Sequence, residues 1–205
     1  MRIDVLERGH DLPTRLTFGL VRRLGRAEIP DVVKVTCYRH RYFGTPFHAL
    51  VQQEMRGRSF WTEGERELFA AYTSTLNQCK FCISAHAAFA ADRLGSDVVS
   101  DALSDSATAT IRPQVSAIMA FLDRLAESPD EIGAEDAARV REAGVPDEAF
   151  EQAVRISVLF HVINRVMDVA GANAMHGAQL TLARRSINLG QYRVPPTVRY
   201  LSRGR

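Results

Sequence analysis

The stretch Cys79-Lys80-Phe81-Cys82-Ile83-Ser84-Ala85-His86 decides how this chain is read. Its distinctive residues recur at intervals of three and four, which bring side chains together on one face of a helix. On a helix Cys79 meets Cys82, and Cys82 meets His86 one turn further on. The segment therefore predicts a helix with two thiols and an imidazole on one side, closed by Gly95.

Upstream, Trp61-Thr62-Glu63-Gly64-Glu65 places Thr62 and Glu65 in the capping-box relation that satisfies the free amides of a helix start. That helix presents Leu68, Phe69, Tyr72 and Leu76 as an apolar stripe, and Asn77 either ends it or caps the cysteine helix. Helical periodicity also predicts Leu12 to Leu24, Asp31 to Tyr42 and Pro46 to about Arg56, separated by Gly25, Pro30 and Gly44. Downstream it predicts Ile111 to Leu125, Ala134 to Ala143, and Pro146 to about Val169, with Gly171 breaking the pattern. No pair of alternating strands joined by a hairpin turn is evident, so the expected fold is all-α. Arg93-Leu94-Gly95-Ser96-Asp97 and Glu142-Ala143-Gly144-Val145-Pro146-Asp147 share a helix, glycine, acidic-start order, a faint internal repeat. A single domain over 1–205 is expected, with an N-terminal arm (1–14) and a C-terminal tail (188–205).

Composition narrows the function classes. The 205 residues, 46% hydrophobic and 24% charged, are ample for a core, and a formal charge of +2 gives no reason to expect a polyanionic partner. Arginines crowd the N-terminal third and the segment from Arg184 to Arg205, but stacking aromatics are not interleaved with them, so no nucleic-acid partner is expected. No apolar run approaches the roughly 20 residues of a membrane span, and MRIDVLERGH has acidic residues where a signal peptide is apolar. No membrane association and a cytoplasmic location are the corresponding expectations. Three cysteines are too few for a disulfide scaffold, and Cys-x-x-Cys in a reducing compartment reads as catalytic or metal-binding. Cys37, alone within Val35-Thr36-Cys37-Tyr38, reads as a small buried apolar residue.

A cysteine nucleophile acts as its thiolate, so something must remove its proton or favour the anion. The free amides at the start of the cysteine helix favour charge on Cys79, in the expected first turn, whereas His86 is placed to act as base on Cys82. These two devices point to different cysteines. The imidazole needs an orienting carboxylate. Glu63 is explained by the helix dipole and Glu65 by the capping box, which leaves Glu67, provided that a bend near Asn77 folds its helix back beside His86. Zinc is the competing use of Cys79, Cys82 and His86. A closed site wants a fourth ligand, though, and Cys37, His40 or His48 would supply it only by accident of folding. A structural disulfide over so short a loop removes little entropy from the unfolded chain. His161, Asn164, Arg165 and Asp168 form a polar stripe on an otherwise apolar helix, read as groups that pair with one another or with a second subunit.

Glu67, Cys79, Cys82 and His86, at these spacings and with Asn77 and Ala85 flanking, resemble the motif of the AhpD-type alkylhydroperoxidases of the carboxymuconolactone decarboxylase superfamily. Phe121-Leu122-Asp123-Arg124-Leu125, Arg141-Glu142-Ala143-Gly144 and Phe160-His161-Val162-Ile163-Asn164-Arg165 resemble its branch of peroxidase-related proteins, so the resemblance spans about residues 15 to 175. It implies an AhpD-like helical fold and a thiol peroxidase in which Cys82 attacks a hydroperoxide, Cys79 protonates the leaving group and closes the disulfide, and Glu67 and His86 relay the proton. It further implies no cofactor, regeneration by a lipoyl-linked or thioredoxin-like dithiol protein, and a homo-oligomer, trimeric or hexameric. Phe81 departs from the pattern, standing where AhpD peroxidases can carry a histidine. The alternatives are a noncatalytic or metal-holding member of the same family, or a decarboxylase-type lyase.

Overall fold

A computed structural model describes residues 1–38, 43–107 and 109–193. Among them are eleven α-helices and no strand: α1 (Val5–Arg8), α2 (Leu12–Gly25), α3 (Asp31–Tyr38), α4 (Thr45–Arg56), α5 (Glu63–Leu76), α6 (Lys80–Leu94), α7 (Ser96–Ser104), α8 (Pro113–Glu127), α9 (Ala134–Glu142), α10 (Asp147–Ala170) and α11 (Gly177–Gly190). The all-α expectation is met. The helix predicted to reach Tyr42 is described as far as Tyr38. Tyr42 and His40 lie outside the described residues, as does the tail from residue 194. Periodicity sets no bounds for α7 and α11. No described helix is long and apolar enough to cross a membrane.

The chain folds as two compact units, 57–164 and 1–56 with 165–205. Within 57–164, α5 is the organising element: every residue from Gly64 to Ser74 is buried. It starts as the capping box requires, with Thr62 N donating to Glu65 Oε2 at 2.8 Å and Glu65 N to Thr62 Oγ1 at 3.3 Å. Because α6 runs back antiparallel to α5, the end of α6 lies at the start of α5. A Cβ built on Gly64 would come within 2.8 Å of Leu94 Cγ and 2.9 Å of Arg93 Cβ, so only glycine permits this approach. The Glu63–Arg93 ion pair, 2.7 Å, closes the same end. Trp61, Leu68, Phe69, Ile118, Met119, Leu122 and Ile156 fill the core, each such side chain contributing about 1.5–3 kcal/mol on burial. Trp61 Nε1 donates to the Ala149 carbonyl at 2.8 Å, so the indole is buried without leaving a donor unmet.

In the unit of residues 1–56 and 165–193, Asp11 caps α2 by accepting from Thr14 N at 2.9 Å. Arg2 N donates to the Ala170 carbonyl, holding the start of the chain against the end of α10. Lys34 bonds Glu7 and Asp31, both at 3.1 Å.

Candidate active site

The site is built at the elbow where α5 passes into α6, inside the 57–164 unit. Asn77 is the C-cap of α5, Gln78 follows with φ +59, and Cys79 is the N-cap of α6. Gln78 N donates to the Thr75 carbonyl at 2.9 Å and Cys79 N to the Ser74 carbonyl at 3.0 Å. This pair of bonds is the Schellman ending, which wants a left-handed residue and usually finds glycine; a glutamine there costs about 1–2 kcal/mol. The elbow is thus folded tightly enough to turn α6 back along α5.

This geometry corrects one expectation. Cys79 lies one position ahead of the first turn, and Cys82 is the third residue of α6, inside that turn. Cys79, as the N-cap, makes no side-chain capping bond, whereas Cys82 lies inside the turn whose free N–H groups favour negative charge. The two devices that pointed to different cysteines therefore converge on Cys82. Both residues are thiols and buried, 1% and 3% exposed.

One turn on, His86 Nδ1 lies 2.7 Å from Glu67 Oε2, and Glu67 is fully buried. The bend at Asn77 brings the two together as expected, and the elbow gathers all four predicted residues on the α5–α6 pair. A carboxylate can only accept, so it fixes the proton on Nδ1 and leaves Nε2 as the basic nitrogen of a neutral ring. A buried carboxylate is expensive unless charge and hydrogen bonds answer it, which makes this pair costly to keep. Phe160 and Phe89 meet the His86 ring edge-on, with centroids at 4.5 and 5.4 Å, and lock its orientation.

The polar stripe of α10 finds its partners mostly on α5. Asn77 and His161 Nδ1 are hydrogen-bonded at 2.9 Å, Ser74 Oγ donates to Asn164 Oδ1 at 3.2 Å, and Thr73 Oγ1 bonds Ser157 Oγ at 3.2 Å. Arg165 pairs with Asp168 at 3.3 Å, the pairing expected from their spacing. Sequence reasoning missed Phe160 as a wall of the site. It stands beside His161 in the flagged stripe, but no local pattern shows which residue of a long helix faces a distant imidazole.

Among the described residues no group of three or more His, Cys, Asp or Glu side chains is placed to hold a metal ion. Cys37 lies on α3 in the other unit, where burial and then Asp11 push its thiol up to about 11.

No family model matches the sequence, and no curated protein is significantly similar to it. Solved structures that share the fold include two peroxidase-related proteins. One is the alkylhydroperoxidase AhpD core of an uncharacterized peroxidase-related protein from Ralstonia eutropha JMP134. It has 24% identity and a TM-score of 0.70, with 84% of this chain and 90% of that chain covered. The other, an uncharacterized peroxidase-related protein from Silicibacter sp. TM1040, has 20% identity and a TM-score of 0.73, covering 87% and 93%. The helical architecture expected from the resemblance to AhpD-type proteins is thus the fold this chain adopts.

Proposed function

We propose that the chain is a thiol-dependent peroxidase that reduces hydroperoxides through Cys82 and Cys79. The observation that carries this reading is the 2.7 Å bond from buried Glu67 to His86, on the helix whose start holds both thiols. Alkylhydroperoxidase and peroxidase-related are also the descriptions borne by the two fold relatives.

In this reading His86 Nε2 takes the Cys82 proton, and Glu67 holds the resulting imidazolium. The Cys82 thiolate attacks the terminal oxygen of the hydroperoxide; an S–O bond forms and the O–O bond breaks. Cys79 gives its proton to the leaving alkoxide, which departs as alcohol. The Cys79 thiolate then attacks the Cys82 sulfenic acid, forming the disulfide, and the hydroxyl leaves as water with the proton held on His86. A dithiol protein, lipoyl-linked or thioredoxin-like, reduces the disulfide and restores both thiols.

The test is to add a hydroperoxide to reduced protein and follow its thiols by mass spectrometry. Wild type is expected to lose two hydrogens as the Cys79–Cys82 disulfide forms. Cys79→Ser should accumulate a Cys82 sulfenic acid that a dione reagent traps, and Cys82→Ser should form neither product. A wild-type Cys82 left unmodified by stoichiometric peroxide would sink the reading.

A further inference from the structure

The polar bonds that join the end of α5 to α10 leave one donor over. Asn164 is fully buried and its Oδ1 accepts from Ser74 Oγ at 3.2 Å, but its Nδ2 has no hydrogen-bond partner among the described residues. A buried amide donor without a partner destabilises the fold, and native proteins rarely keep one. Ser74 does not need the amide either, since its Oγ also reaches the Ala70 carbonyl at 2.7 Å. Packing α5 on α10 therefore gives no reason for an amide at this position.

Its place in the fold gives one. Ser74 lies four residues before Gln78 and Cys82 four after it, so on the antiparallel α5 and α6 the two are level. Ser74 also shares a face of α5 with Glu67, which precedes it by seven residues, close to two full turns. On α10, Phe160 stands one turn before Asn164 and on the same side of the helix. Its ring meets His86 with centroids 4.5 Å apart. Asn164 is thus bracketed by the base of the site on one side and the level of Cys82 on the other.

We propose that Asn164 is a substrate-binding residue of the thiol site, whose Nδ2 donates to the hydroperoxide oxygen that departs. The inference rests on the peroxidase reading above and adds a group to it. As the S–O bond forms on Cys82 and the O–O bond breaks, negative charge gathers on the leaving oxygen. A donor already fixed in buried surroundings stabilises that charge more than mobile water does. The amide keeps both its protons, and Cys79 still supplies the one that turns alkoxide into alcohol. Because the contact is with the O–O unit, the ligand class is hydroperoxides at large rather than one organic group.

Two reactions of Cys82 in the full reduced chain, each followed by peptide mass spectrometry at one pH, test it. One is oxidation by tert-butyl hydroperoxide; the other is alkylation by iodoacetamide, whose leaving iodide takes no such bond. Asn164→Leu keeps the side chain's size and leaves Ser74 its Ala70 bond. It should slow oxidation about a hundredfold while alkylation stays within about twofold. Asn164→Ala leaves room for a water to donate instead and should slow oxidation only about tenfold. It also decides the question alone if the leucine variant loses its helical circular dichroism. Hydrogen peroxide should lose the same factors as the organic peroxide. Equal slowing of oxidation and alkylation overturns the proposal and makes Asn164 structural. Unchanged oxidation overturns it too, leaving the amide a holder of buried water only. A wild-type Cys82 that is alkylated yet resists peroxide overturns the peroxidase reading itself, and this inference with it.

Discussion

Two buried carboxylates sit two residues apart on α5 and serve different faces of it. Glu65 belongs to the entrance: it accepts from Thr62 N and from both Nε and a terminal nitrogen of Arg112, at 2.6 and 2.8 Å. Its charge is spent on starting the helix and tying α8 to it. Glu67 points about 200° further round the helix and bonds His86 on α6. Both are buried and hydrogen-bonded, so burial alone does not separate a structural acid from a chemical one. The partner does: a guanidinium stays protonated and can only hold, whereas an imidazole exchanges a proton near neutral pH.

The largest effect expected from this contrast is at the elbow's sulfur. Cys82→Ser should abolish peroxide turnover with a dithiol donor, a loss of about a thousandfold or more, while the helical spectrum stays intact. Glu67→Gln keeps the shape and removes the charge that steadies the imidazolium. Turnover at saturating donor should fall by roughly a hundredfold with little change in unfolding midpoint. Glu65→Ala should do the reverse, lowering stability by about 1–2 kcal/mol in denaturant titrations while turnover stays within about twofold. If Glu65→Ala and Glu67→Gln give the same pattern, the contrast is broken.

Acid should weaken the other unit. Burial holds the imidazoles of His10 and His48 below their ordinary value, partly offset at His10 by the Leu6 carbonyl. The unfolded chain then binds more protons than the native one below the ordinary imidazole pKa, about 6.5. Stability is therefore present above that pH and is lost as pH falls through it toward the depressed folded values. Hydrogen exchange in α1 to α4 should accelerate over this range, and His48→Gln should flatten the dependence. The smallest effect is reserved for Cys37, whose thiol at about 11 is almost wholly protonated at neutral pH. Cys37→Ala should leave turnover unchanged, and iodoacetamide labelling of this position in wild type should be slow.

Local patterns make much of this legible. The Thr62–Glu65 cap, the Cys79–Cys82–His86 face and the Arg165–Asp168 pair depend on intervals within one or two turns, and periodicity reports those directly. Glu67 is reachable by elimination, because its neighbours Glu63 and Glu65 already have uses at the helix start. What stays hidden depends on contacts between distant segments or on unmarked backbone. No glycine announces the left-handed turn at Gln78, so the register of α6, and with it the N-cap position of Cys79, differs by one residue from the expected one. Phe160 against His86, and Asn77 with Ser74 against the α10 stripe, are set by how α10 rolls on α5 rather than by any spacing. Short α7 and terminal α11 carry weaker start and stop signals than their neighbours, and periodicity does not delimit them.

With Cys79 and Cys82 exposed by only 1% and 3%, the two halves of the proposed cycle make unequal demands on access. A low-molecular-weight hydroperoxide needs a passage a few atoms wide to reach sulfur, but a folded dithiol donor brings a body tens of ångströms across. Oxidation is thus compatible with a closed first turn of α6, and reduction requires that turn to be uncovered. Steady-state turnover then counts openings of the elbow, and the identity of the peroxide matters least when the donor is scarce.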